Sequence, residues 1–143
     1  MEGIAMAGLH RGTWIVAACS EGAMILENAG CVKQPDLRLI DRMDAPVAPL
    51  PAETRSAHEV TDRERLATSA FAVQVVGRLA REAARGRAQR LVLAAEAPLL
   101  GAIRDRLDDD LRARVVLAMP TTLTRHPLGE IVTVVNKALE RAA

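Results

Sequence analysis

Two short apolar runs, RLVLAA at 90–95 and RVVLAM at 114–119, constrain this chain more than any other feature. Each is continuous rather than alternating and no longer than a strand, which is the pattern of a parallel strand covered on both faces. Parallel neighbours need a crossover, and the residues between the runs have helical spacing, so the chain must build a layered α/β domain. At 143 residues it holds one such domain.

The first third reads differently. TWIVAAC at 13–19 turns through Ser20-Glu21-Gly22 into AMILENA at 23–29, which predicts a hairpin. LRLIDRM at 37–43 follows Pro35 and sets Leu37 and Leu39 on one face against Arg38 and Arg42 on the other, as suits a protected sheet edge. Residues 1–12 form an N-terminal tail to a single domain over 13–143. Residues 44–60, DAPVAPLPAETRSAHEV, contain three prolines and no period, and read as a long exposed loop that is either functional or disordered.

Thr61-Asp62-Arg63-Glu64 has capping-box spacing and predicts a helix start, with Leu66, Ala67, Ala70, Phe71, Val75 and Leu79 as its buried stripe and Gly86 as its stop. A second helix is expected from about Pro98 to Leu107, with Asp108-Asp109-Asp110 capping a short turn. A last helix from near Pro127 turns Ile131, Val134, Val135, Ala138 and Leu139 inward. The order β-β-β-α-β-α-β-α with right-handed crossovers gives a five-stranded mixed sheet, 3-2-1-4-5, with helices on its faces, the ribonuclease-H-like layout.

In that topology the ends of the first, fourth and fifth strands share one edge with the start of the long loop. Ser20, Glu21, Glu96, Thr121, Thr122, Thr124, Arg125 and His126 gather there, with Arg55 and His58 near the end of the loop. Ligands of open α/β sheets bind outside the carboxyl ends of strands, so this edge is the expected site. TTLTRHP at 121–127 sets hydroxyls, a guanidinium and an imidazole before a helix start, where unpaired N–H groups favour anions or a side chain caps the helix.

Composition narrows the chemistry. Aromatics are 1% of the chain, Trp14 and Phe71, which counts against RNA recognition by base stacking. Nuclease chemistry on two metal ions needs several carboxylates near the first and fourth strands, where only Glu21 and Glu96 lie. Cys19, Cys31, His10, His58 and His126 match no zinc spacing, so no metal or cofactor is expected. Cys31 falls about eight residues from Cys19 across the hairpin, roughly 25 Å, too far for a disulfide. Phosphate-loop, dinucleotide and nucleophile-elbow motifs are absent. Arg78, Arg81, Arg85, Arg87 and Arg90 face Glu82 alone within 78–90, a solvated basic face or a set of sequence-blind phosphate contacts. No signal peptide and no stretch long enough to span a bilayer is evident, which predicts a cytoplasmic protein without membrane insertion.

TWIVAACSEGAMILEN at 13–28, LVLAAEAPLLGAIRDRLDDDLRARVV at 91–116 and TTLTRHPLGEI at 121–131 together resemble the bacterial host attachment family, proteins required for attachment to host cells. The resemblance covers most of the chain from residue 13 onward. It departs at Cys19, where the family usually has an aspartate after the first strand, and at Thr122, where an acidic residue precedes the Leu-Thr pair. That family is similar in turn to the middle domain of eukaryotic and archaeal class-one release factors, whose Gly-Gly-Gln loop hydrolyses peptidyl-tRNA. The matching loop here, 44–60, has neither glycine nor glutamine.

The expectation is therefore a non-enzymatic, cytoplasmic adaptor or regulator of host attachment type with an unidentified protein partner. The alternatives are a ribosome- or tRNA-associated factor that does not read DNA sequence, and an enzyme acting at the strand-end edge through His126 and Glu96.

Overall fold

A computed structural model describes residues 8–46 and 57–142, with the backbone alone for 57–61. Three strands come first: β1 (Thr13–Cys19), β2 (Gly22–Asn28) and β3 (Leu37–Asp44). They are followed by α1 (Ala57–Ala84), β4 (Arg90–Ala95), α2 (Ala97–Arg106), α3 (Asp109–Arg114), β5 (Val115–Met119) and α4 (Leu128–Ala142). The sheet order is β3-β2-β1-β4-β5, antiparallel on the β2 side of β1 and parallel on the β4 side. The expected mixed sheet is thus the observed one.

Alternation along the strands divides the core into two layers. Trp14, Val16, Ile25, Leu91 and Leu93 meet Phe71, Val75 and Leu79 of α1 and Leu99 and Ile103 of α2. Ile15, Ala17, Leu26, Val92 and Ala94 meet Ile131, Val135 and Leu139 of α4, together with Leu9 and Leu123. Small residues at the ends of the central strands, Ala17, Ala18, Ala94 and Ala95, are all buried and let the helices approach closely. Each large aliphatic removed from water here contributes about 1.5–3 kcal/mol.

Buried Asn28 closes the far end of the hairpin. Its amide donates to the carbonyls of Leu9 and His10, at 3.0 and 3.2 Å, and its Oδ1 accepts from the backbone of Gly30 and Asp36. Leu9 is fully buried and its N–H donates to Asn136 Oδ1 at 3.1 Å. The described part of the segment before β1 is therefore packed against α4.

Several local expectations are corrected. The helix is already under way at Ala57, so Thr61 lies inside it and does not cap it, and His58 stands on α1 rather than in a loop. Residues 47–56, including Arg55, lie outside the described residues. Leu66 is 71% exposed and Ala70 is exposed, while Ala72 and Ala83 join the buried stripe. The reason is angular: at about 100° per residue, Leu66 and Ala70 lie roughly 140–180° around the helix from the middle of the stripe formed by Phe71, Val75 and Leu79, and so face away from the sheet.

The alternation in β3 is also broken. Ile25 pairs with Asp41 and Leu26 with Leu39, leaving Ile40 as an extra residue. Such a bulge moves everything beyond it to the opposite face. Arg42 therefore shares the face of Leu37 and Leu39, and Asp41 turns toward α1. The hairpin turn is tighter than expected, because Gly22 already pairs with Cys19. A Cβ at Gly22 would stand 2.6 Å from the Met43 carbonyl oxygen, which leaves room only for glycine.

Candidate functional site

Glu96 ends the central parallel strand and precedes α2, yet its carboxylate makes no cap bond to that helix. It turns instead to the neighbouring hairpin, where Glu96 Oε1 accepts the backbone N–H of Ser20 at 2.6 Å. This bond ties the end of β4 to the end of β1 at the sheet's carboxyl edge. Pro98 in the first turn of α2 has no N–H to satisfy there.

Beside this tie lies a groove of about 1200 Å³ between the first half of α1 and α2. Phe71 and Leu99 lie at its base, 2% and 4% exposed, and its apolar surface comes from small residues, Ala67, Ala97, Pro98 and Ala102, with Gly101 beside them. Glu21, Glu64, Glu96 and Asp105 supply carboxylates, and Arg65 and Arg106 supply guanidiniums. Ser20, Thr68 and Ser69 add polar surface, and Ala45 and Pro46 close the end next to β3.

Of the strand-edge residues expected from sequence, Ser20, Glu21 and Glu96 line the groove. Arg125 reaches the same edge, its Nη2 donating to Glu21 Oε1 at 3.0 Å, but both side chains are open to water and such a pair contributes little. Thr121, Thr122, Thr124 and His126 do not line the groove. Their loop is held by fully buried Leu123, whose carbonyl accepts the His126 N–H at 3.1 Å, and the His126 side chain is exposed.

The sequence reading missed Glu64, Arg65, Thr68, Ser69, Asp105 and Arg106. Their signal was present as four-residue spacing: Glu64 with Thr68 and Arg65 with Ser69 on α1, Gly101 with Asp105 and Ala102 with Arg106 on α2. Each pair marks one helical face. What sequence does not show is that these faces look at each other.

The arginine cluster occupies the opposite, amino end of β4. Glu82 is 3% exposed and accepts Arg78 Nε at 3.1 Å, with Arg87 Nη1 at 3.4 Å and Arg85 Nη1 at 3.7 Å. Its carbonyl also accepts the backbone N–H groups of Arg85 and Arg87 where the chain leaves α1, at Gly86 with φ +82°. Arg78 bridges onward to Asp41 and, with the Arg42 N–H, holds that carboxyl below the usual carboxylate range. Three of the five arginines therefore converge on Glu82, and Arg81 and Arg90 are exposed.

Both cysteines are free thiols. The backbone N–H groups of Gln34 and Lys33 hold the Cys31 thiol below its usual value. Among the described residues no three His, Cys, Asp or Glu side chains are grouped to hold a metal ion, and no helix is long and apolar enough to cross a membrane.

Fold and site together define an α/β domain with a polar-rimmed groove at the carboxyl end of a mixed sheet. The model of the family described as protein required for attachment to host cells matches residues 14–135, from β1 to the inner face of α4, and the chain belongs to that family. No curated protein matches the chain.

Proposed function

We propose that the chain is a non-enzymatic adaptor or regulator of host attachment type, acting in the cytoplasm by holding a protein partner in the groove between α1 and α2. The observation that carries this reading is the groove's make-up. Small apolar surface from Ala67, Ala97, Pro98 and Ala102 is flanked by charged and hydroxyl side chains from two helices, and an apolar centre with a polar rim is how proteins recognise one another. The effect on attachment is then indirect, through the partner.

The test is affinity recovery of the tagged protein from its own cells beside a Gly101→Trp variant. A Cβ at Gly101 would meet nothing within 4 Å, so the position opens onto the groove space that a Trp side chain would take up. A protein partner recovered with the wild type and lost with the variant is expected. An unchanged set of partners would remove the groove from the reading, and recovery of the native protein outside intact cells would remove the cytoplasmic setting.

A second reading, association with ribosomal RNA by a release-factor-like domain, draws on exposed Arg81, Arg85, Arg87 and Arg90 at the other end of the sheet. Phosphate contacts strengthen as salt falls. Co-sedimentation with ribosomal particles at low salt, lost in a variant with these four arginines changed to alanine, is its expected outcome. Absence of the protein from those fractions at low salt would dismiss it.

A further inference from the structure

We infer that the solvent face of α1 docks an acidic amphipathic helix of a partner protein. Leu66, Ala70, Val73, Gly77, Ala80 and Ala84 follow one another in alternating steps of four and three residues, the spacing of a coiled-coil seam. At about 100° per residue the six fall within an arc of about 80°, directly opposite the stripe of Phe71, Val75 and Leu79. α1 is therefore apolar on two opposite sides, and only one of them meets the sheet.

The outer side is open. Leu66 is 71% exposed and Val73 57%, and Ala70, Ala80 and Ala84 are exposed. A Cβ at Gly77 would meet nothing within 4 Å. A surface helix ordinarily carries polar residues on this side. The small residues let a second helix come close, so that its own apolar side chains pack around Leu66 and Val73. The seam runs about 27 Å, or about five turns. None of the six residues lines the groove between α1 and α2, so a partner here is separate from one held in that groove.

Charge selects the occupant. Between Arg65 and Arg90 the only acid is Glu82, which is buried and already holds Arg78, with Arg85 and Arg87 beside it. Arg81 flanks the seam about 60° from its centre, and it is exposed, as are Arg85 and Arg87. Surplus positive charge beside an apolar seam is complementary to a helix whose apolar stripe is bordered by glutamate or aspartate. A second copy of α1 carries the same surplus and is repelled. RNA would meet the arginines and leave Leu66 and Val73 unused.

The experiment uses fluorescence anisotropy on the full chain with labelled peptides of about 18 residues, the length of the seam. One carries Leu and Ala at steps of four and three with Glu elsewhere, one has Lys in place of Glu, and one has the composition of the first in scrambled order. The wild type is expected to bind the first about tenfold or more tightly than either of the others. Leu66→Gln with Val73→Gln should weaken that binding about tenfold at an unchanged thermal midpoint, because both side chains already stand largely in water. Arg81→Glu with Arg85→Gln should also weaken it and narrow the preference over the lysine peptide. Three outcomes would overturn the inference: no binding of the acidic amphipathic peptide, equal binding of the scrambled one, or indifference to Leu66→Gln with Val73→Gln. Equal binding of the scrambled peptide together with binding of a labelled poly-uridine RNA would assign this face to polyanions instead.

Discussion

Glu82 looks from sequence like one acid outnumbered by arginines, and folding makes it the anchor of that group. Its burial is tolerated because Arg78, Arg85 and Arg87 surround the carboxylate. Removing the acid leaves partly buried Arg78 with Asp41 alone, whereas Arg85 and Arg87 return to water. Glu82→Ala should therefore destabilise by about 1.5–3 kcal/mol in denaturant unfolding, and Arg85→Ala by less than about 0.5 kcal/mol. Equal losses would mean that Glu82 is not the anchor. Asp41 gives a pH-dependent counterpart. Its carboxyl is lower in the folded chain than in the unfolded one, chiefly because of Arg78, so it contributes stability above the unfolded carboxylate range. That contribution fades as the pH falls through the folded value. The thermal midpoint of Asp41→Asn should fall less steeply below about pH 4 than that of the wild type; parallel acid limbs would rule out the Arg78 link as the cause. A local interaction such as the cap formed by Asp108, whose Oδ1 accepts the Leu111 N–H at 2.8 Å, was legible from three adjacent aspartates. The Arg78–Asp41 link joins residues 37 apart and depends on a bulge that no spacing rule announces.

Elements were easier to find than to orient. Every strand and helix expected from the apolar runs is present, but α1 starts earlier and its buried stripe is narrower. Leu66 and Leu79 share one residue type and one helix and have opposite environments, 71% exposed against fully buried. Leu79→Ala should cost about 2–5 kcal/mol, and Leu66→Ala should stay within about 0.5 kcal/mol. Comparable losses from urea midpoints would show that Leu66 packs against something in solution. Three- and four-residue steps mark both leucines as candidates, but the 13 residues between them leave the two about 140° apart around the axis, on different faces of the helix. Both outer strands also hold an unpaired extra residue, Ile40 in β3 and Val116 in β5. Bulges of this kind twist a free edge away from edge-to-edge pairing.

The two core layers share one sheet, so the described domain should unfold as a unit. Trp14, the only tryptophan, is 1% exposed in the layer under α1, with Nε1 donating to Glu27 at 3.0 Å. Its fluorescence and the far-UV circular dichroism should follow one coincident denaturant transition; separate midpoints would show that the layer under α4 unfolds independently. Strand succession and sheet order were readable from sequence, because apolar runs, turn residues and crossover handedness are local or follow general rules of chain connection. The same rules place Ser20, Glu21 and Glu96 together at the strand-end edge, where the structure has them. The groove's walls, the convergence on Glu82 and the redirection of Asp41 arose only in the tertiary structure. They depend on which face of a helix the sheet covers, on one extra residue in an edge strand, and on which polar faces meet across space, and none of these has a signature within the span of a single element.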